Sequence, residues 1–554
     1  MRKVLALSIG VAVVAAGAAA LAWQRDTDNE TSQLDVSERT FSTNDPIERA
    51  CDLPDRLLVR LWRGHHPVHS EDITTVPQAP NYSGSFGVTS HSGPWDYVQN
   101  IPLVLYGPGH IAAHGPLQEF ASITDVFETA GRLTNVELPE RRGNVLESAL
   151  GSSPTPPKLI AVVVWDGVGR NVLRRHPNAW PQLKRLEEKG TSYLGATVGS
   201  SPSITPATHS SLGTGSFPNE HGVTAIEYRT AGGDVRGAFA QKDPRDLTLT
   251  TIADEIDLAL GNEPKVGMLA WKSWHLGMLG HGSATPEGDT DSLALINTHG
   301  SITGNEQYFS TPRGLTSLEG NLEKRAEELD REDGTRDGDW LGHDIRVMHD
   351  NPAWIRYQRD LMLAMLETED FGTDATPDLF FTNFKVTDIV SHQYSMDSRE
   401  EREVLAAQDA ALGDLVAWLE SNVGDFVVIV TADHGNTPPP ERTNAWPILQ
   451  GQLQEDVDAY FDVPRGRSLV LQTTAAGPFL DKAFMEKWGV SEEDIAQFLN
   501  GYTLRDNWKD ERVPARYENR AREKIFSAAW PSDDMPKVMS CAFGQPQPPE
   551  DIDA

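Results

Sequence analysis

Four short segments of the chain end an apolar run in side chains that can bind a metal or attack an electrophile. In VVVWDGVG, Asp166 follows a strand-like run, and the nearby glycines let the backbone turn tightly beneath a ligand. In SPSITPATHSSLGTGSFPNEHG, Thr205 precedes Pro206 at the start of a helix of small residues. There its hydroxyl reads as a helix cap unless a metal is implied beside it. In TNFKVTDIVSHQY, Asp388 and His392 stand four residues apart, on one face if helical, as either a surface ion pair or ligands for Zn²⁺ or Mn²⁺. In VVIVTADHGN, Asp433 and His434 leave a strand side by side, an arrangement with no packing rationale. Together the four imply a metal site. Their number of N and O donors suits two metals about 3.5–4 Å apart, which clamp the attacking and leaving oxygens of an in-line phosphoryl displacement.

The elements that must position these residues read as alternating strands and helices. LIAVVVWDG (159–167), KVGMLAW (265–271), DLFFTNF (378–384) and DFVVIVTADHG (425–435) are continuous apolar runs, as expected of strands buried on both faces of a sheet. Helix-like stretches such as 401–421 separate them, which predicts an α/β fold with a mostly parallel central sheet flanked by helices and interrupted by insertions. Ligands in such sheets lie beyond the carboxyl ends of the strands. Residues 51–150 hold the strand-like IPLVLYGPG and the helical SITDVFETAGRL and are expected to complete the catalytic core. The core itself is placed at 158–440 with an insertion at 298–346, followed by a C-terminal extension at 441–554.

Charge narrows the ligands. With 48 Lys and Arg against 81 Asp and Glu, the formal charge of −33 disfavours polymeric DNA or RNA, while a bound cation still permits a small anionic substrate. Arg2 and Lys3 precede an apolar run from Val4 to Trp23 that contains Ala20-Leu21-Ala22, so residues 1–24 are expected to be an export signal or, if retained, a membrane anchor. A polar linker follows at 25–50. Periplasmic or secreted localisation is therefore expected, and there the two cysteines, Cys51 and Cys541, are predicted to pair.

The ordered set of strand-Asp-Gly, Thr-Pro-x-x-His, Asp-x-x-x-His and Asp-His-Gly resembles the alkaline phosphatase superfamily, and most closely its type I phosphodiesterase/nucleotide pyrophosphatase branch. The resemblance implies two divalent metals, zinc or alternatively manganese. Asp166, Thr205, Asp433 and His434 would hold one, and Asp388 and His392 the second. It also implies Thr205 as the nucleophile of a phosphothreonine route and a small phosphate ester or nucleotide as substrate. Two departures stand out. The family places one further ligating His after Asp-His-Gly, but no His follows His434 here. An upstream block, SHSGPWDYVQNIPLVLYGPG, has the missing pattern, so a circular permutation in which residues 86–135 supply His91 is expected, with His281 as the alternative. An Asn usual in that branch is replaced by Ile226, which leaves Lys385 or Lys272 to hold a non-bridging oxygen. A phosphomonoesterase, a phospho-head-group transferase and a non-catalytic exported binding protein are the competing readings.

Overall fold

A computed structural model describes residues 43–554 apart from 333, 346–348, 511, 551, 553 and 554. The expected leader at 1–24, and the linker as far as residue 42, lie outside the described residues.

Nine strands form the central sheet: β1 (Leu103–Tyr106), β2 (Gly115–Ser122), β3 (Leu159–Trp165), β4 (Thr191–Thr197), β5 (Val266–Ala270), β6 (Ser292–Ile296), β7 (Ile302–Thr303), β8 (Asp378–Phe384) and β9 (Phe426–Thr431). Their spatial order is β7-β6-β5-β8-β3-β9-β1-β4-β2. Strands β6, β5, β8, β3 and β9 run parallel to one another, whereas β1 is antiparallel to both β9 and β4, and β7 is antiparallel to β6.

The helices that matter for the site and the chain ends are α1 (Pro46–Cys51), α2 (Thr205–Thr214), α3 (Ile252–Ala259), α4 (Pro352–Thr368), α5 (Val386–Tyr394), α6 (Arg399–Asn422) and α7 (Met535–Phe543). Every residue of β3 is buried because its two faces serve two different cores. Leu159, Ala161, Val163 and Trp165 pack in one apolar cluster with Leu361 of α4 and Leu405, Leu412 and Leu415 of α6. Ile160, Val162 and Val164 pack in the other with Phe127, Leu212 of α2 and Ile256 of α3. The period-two alternation of the strand thus divides an unbroken apolar run between two helical layers. Each fully buried aliphatic side chain contributes about 1.5–3 kcal/mol of transfer free energy.

Two boundaries differ from the sequence reading. The linker expected up to residue 50 ends earlier, in helix α1. Asp45 caps it by accepting from the Ile47 and Glu48 amides, Pro46 occupies its first turn, and buried Arg49 donates to the Ser527, Asn500 and Phe526 carbonyls. Within 51–150 only the later part joins the sheet, as β1 and β2, followed by the helix Asp125–Thr134. The strand Ile73–Pro77 pairs instead with Phe526–Pro531, and Ile73 joins an apolar cluster made largely by residues 446–529. Apolar surface in the C-terminal extension is what draws it away from the sheet. The insertion at 298–346 contributes β7 at one edge and a helix, Asn321–Glu332. Cys51 and Cys541 are joined by a disulfide, Cα–Cα 5.7 Å. No helix of the described residues is long and apolar enough to cross a membrane.

Candidate active site

Strand register brings the carboxyl ends of β3, β8 and β9 to one level. Phe384 lies opposite Trp165 and Thr431 opposite Val164, so Asp166, Lys385 and Asp433 leave the sheet together. Gly167 follows Asp166 with φ +74°, and a Cβ there would meet the Asp388 backbone at 3.1 Å, so only glycine makes this turn without strain. Its amide donates to Asp433 Oδ1 at 3.0 Å, which ties two strand ends together.

Thr205 is the first residue of α2, with Pro206 beside it in the first turn, and the cap position is held by Ile204. The Thr205 hydroxyl meets Lys385 Nζ at 3.0 Å. The helix is wholly buried, and Gly213 lets it approach the segment 276–279 so closely that a Cβ there would lie 2.0 Å from the Gly277 carbonyl oxygen. A nucleophile on so tightly packed a helix is positioned before substrate arrives.

Lys385, the residue preceding α5, is buried and also donates to Asp166 Oδ1 at 2.8 Å and contacts Asp388 Oδ2 at 2.7 Å. One ammonium therefore bridges two carboxylates and the Thr205 hydroxyl. Burial opposes its charge, but Asp166, Asp388 and Asp433 raise its pKa, so it remains an ammonium. Burial likewise opposes ionisation of Asp388, yet Lys385 and His392 beside it hold it well below the usual carboxylate range. Burial pushes Asp433 up to about 6.

Three imidazoles complete the cluster. His91 Nδ1 lies 2.9 Å from the Ser203 carbonyl oxygen, His434 Nδ1 lies 3.0 Å from that of Gly435, and His392 Nδ1 meets that of Thr89. A carbonyl only accepts, so in each ring Nδ1 carries a proton; in His91 and His434, which stay neutral, Nε2 presents a lone pair, whereas burial opposes the charge of His392 but Asp388 raises its pKa. All three Nε2 atoms face carboxylates. His392, His91 and His434 Nε2 lie 3.4, 3.7 and 3.9 Å from Asp388 Oδ1, and His434 Nε2 lies 3.3 Å from Asp433 Oδ2. Burial keeps His91 and His434 neutral, His434 with a pKa near 4, and the two rings stack at 3.5 Å. Asp388 Oδ1, Asp433 Oδ2 and His434 Nε2 are buried with no hydrogen-bond partner among the described residues. Lone pairs aimed at unpartnered carboxylate oxygens are costly unless cations lie between them, and these residues therefore fit divalent metals. Two groupings with ligand-like spacing are His91, Asp388 and His434, and Asp166, Asp433 and His434.

The structure thus gathers Asp166, Thr205, Lys385, Asp388, His392, Asp433, His434 and His91 in one place. His281 is elsewhere, with Nδ1 2.8 Å from Asp254 Oδ2. Trp95 and Trp271 are buried, Trp271 donating to Gln358 Oε1 at 3.0 Å, so both serve packing. Three residues escaped the sequence reading. Asn383 Nδ2 donates to Asp166 Oδ2 at 3.0 Å and to His209 Nε2 at 2.9 Å, while His209 Nδ1 holds the Thr205 carbonyl at 2.8 Å. His275 is buried 4.7 Å from the His209 ring. Asn383 on a strand that ends at the site and His209 four residues after Thr205 were discernible by spacing; His275 was not.

The sequence model described as type I phosphodiesterase/nucleotide pyrophosphatase matches residues 160–522. Among similar proteins, one named calcium-transporting ATPase from Myroides odoratus is 21% identical over 412 residues, 64% of this chain and 70% of its own length. Alkaline phosphatase PafA from Elizabethkingia meningoseptica is 23% identical over 369 residues, 56% of this chain and 67% of its own. Alkaline phosphatase PhoK from Sphingomonas sp is 23% identical over 333 residues, 53% of this chain and 58% of its own. The solved structure of wild-type PafA shares the fold, with a TM-score of 0.51 at 16% identity over 69% of this chain and 85% of that one. By the family match and this architecture, the chain belongs to the type I phosphodiesterase/nucleotide pyrophosphatase family of the alkaline phosphatase superfamily, a family of phosphoric ester hydrolases.

Proposed function

We propose that this protein is an exported hydrolase of small phosphodiesters, including nucleotides, acting through a phosphothreonine at Thr205. Asp166, Thr205, Asp433 and His434 hold one divalent cation, and Asp388, His392 and His91 a second. The observation that carries this reading is the Thr205 hydroxyl, one residue inside the cap position of α2 and 3.0 Å from Lys385, beside imidazole lone pairs that face unpartnered carboxylates. Zinc suits the mixed N and O donors, and manganese can use the same set. When bound, such cations acidify the nucleophile's hydroxyl and neutralise charge on the ester oxygens.

The chain's own residues do the rest. Thr205 Oγ adds to phosphorus as the bond to the leaving oxygen breaks; the Thr205 proton passes to solvent, and the departing alkoxide takes a proton from solvent to leave as the alcohol. Lys385 holds the developing alkoxide and a non-bridging oxygen, the role left open by Ile226. Water then cleaves the phosphothreonine, which releases the monoester and restores the hydroxyl. His91 lies upstream of the matched span 160–522, yet the strand that follows it, β1, pairs with β9, which delivers Asp433 and His434. That placement supports a permuted supply of the last ligand. The disulfide and the leader-like residues 1–24 support export.

A monoesterase is the second reading, favoured by the names of the alkaline phosphatase relatives and by exposed Lys272, which packs over Trp274 at 4.3 Å within electrostatic reach of Lys385. A second ammonium suits the extra charge of a monoester. Turnover of a chromogenic diester and the matching monoester, with and without chelator, separates the two. Chelator-sensitive turnover with the diester faster is expected, and Thr205→Ala should lower it at least about 1,000-fold with bound metal retained. A faster monoester selects the second reading, and substantial activity in Thr205→Ala removes Thr205 from its role.

A further inference from the structure

Away from the strand-end cluster, Asp257, Asp289 and Asp291 each present a carboxylate oxygen, and the three oxygens lie within 4.8 Å of one another. Asp257 sits in the last turn of α3, where the negative end of the helix already disfavours a carboxylate. Asp289 and Asp291 belong to the loop that leads into β6. Asp257 and Asp291 are 5% and 7% exposed, whereas Asp289 is open to solvent. Among the described residues no ion pair reaches any of the three, and Asp257 Oδ1 has no hydrogen-bond partner. The adjacent Asp254 is already satisfied by the Thr251 amide and His281. Burial, followed by the neighbouring aspartates, pushes Asp257 up to about 7 and Asp291 well above the usual range, with no cation to offset either.

The same two segments hold two more buried oxygens without a partner, Asn262 Oδ1 and Thr285 Oγ1. Asn262 Nδ2 also donates to the Glu287 carbonyl at 2.8 Å, so the end of α3 and the loop are already in contact. Oxygen donors alone, without nitrogen or sulfur, select a hard cation. An irregular loop with one carboxylate open to solvent suits the loose, six- to eight-fold coordination of calcium better than the strict octahedron of magnesium.

We propose that Asp257, Asp289 and Asp291 form a calcium site that pins the loop entering β6 to the last turn of α3. It shares no residue with the strand-end cluster, and its role is to hold the fold together.

The test is thermal unfolding of the purified full chain, loaded with zinc and freed of calcium, titrated with CaCl₂ alone up to about 1 mM. A saturating rise in Tm of about 2–5 °C is expected. Asp289→Asn, an exposed change that leaves the folded chain and its ester turnover intact, should abolish the rise and remove one bound calcium per chain by equilibrium dialysis. Asp291→Asn should do the same while raising Tm in the absence of calcium. No calcium-dependent rise in the unmodified protein overturns the site, as does a rise that both variants keep in full.

Discussion

Lys385 shows how much one side chain can decide. Asp166, Asp388 and Asp433 converge at the strand ends, and Lys385 is the ammonium that touches two of them and the Thr205 hydroxyl. Lys385→Ala is expected to reduce turnover about 100- to 1,000-fold while bound metal, measured by mass spectrometry, is unchanged or higher, because an internal competitor for the carboxylates is gone. Loss of metal together with turnover would make the lysine structural. Glu71 is a second buried charge, remote from this chemistry. Burial pushes its carboxyl up to about 7 despite the hydrogen bond that the Thr474 hydroxyl donates. Between the unfolded value, near 4.3, and about 7 the folded state holds the proton more tightly, so stability falls as pH rises through that window and levels off above it. Glu71→Gln keeps an acceptor for Thr474 and removes the titration. In urea unfolding, the variant should match the parent below pH 4 and exceed it by up to about 3 kcal/mol at pH 8. Equal differences at the two pH values would show that Glu71 does not titrate there.

Elements decide which residues can meet. Helix α5 turns the Asp388 and His392 spacing into a shared direction, with His392 Nε2 3.4 Å from Asp388 Oδ1. The antiparallel pairing of β1 with β9 brings the His91 segment beside Asp433 and His434, although more than 300 residues of chain separate them. If His91 is a ligand, His91→Ala should lose metal affinity at least about 10-fold and turnover with it, with the circular dichroism spectrum unchanged. Retained metal and turnover would exclude both His91 and the permuted supply. His281, held by Asp254 away from the cluster, serves as the control whose replacement leaves metal content alone.

At the scale of the molecule, the Cys51–Cys541 disulfide links α1 to α7 across a sequence separation of 490 residues. A closure of this length removes unfolded-state entropy, and natural disulfides typically contribute about 2–4 kcal/mol. Cys51→Ala combined with Cys541→Ala should therefore lower Tm by several degrees. Ester turnover at 25 °C should be preserved, because neither cysteine belongs to the cluster. An unchanged Tm would mean that α1, with Arg49 bound to three carbonyls, already secures the terminus without the bond.

The sequence by itself determined the α/β architecture and most of the strand-end donors. A strand buried on both faces must be continuously apolar, and a residue such as Asp166 or Asp433 at its end has nowhere to go but the rim. It also indicated His91, but only by pattern, since nothing local says that an upstream loop returns to β9. Tertiary structure alone decided three things. Thr205 meets Lys385 instead of capping its helix. Ile73–Pro77 leaves the sheet for the C-terminal cluster, and Asn383, His209 and His275 stand behind Asp166 and Thr205. Each depends on contacts between residues far apart in the chain, and local propensity and spacing carry no information about which distant surface a side chain will find.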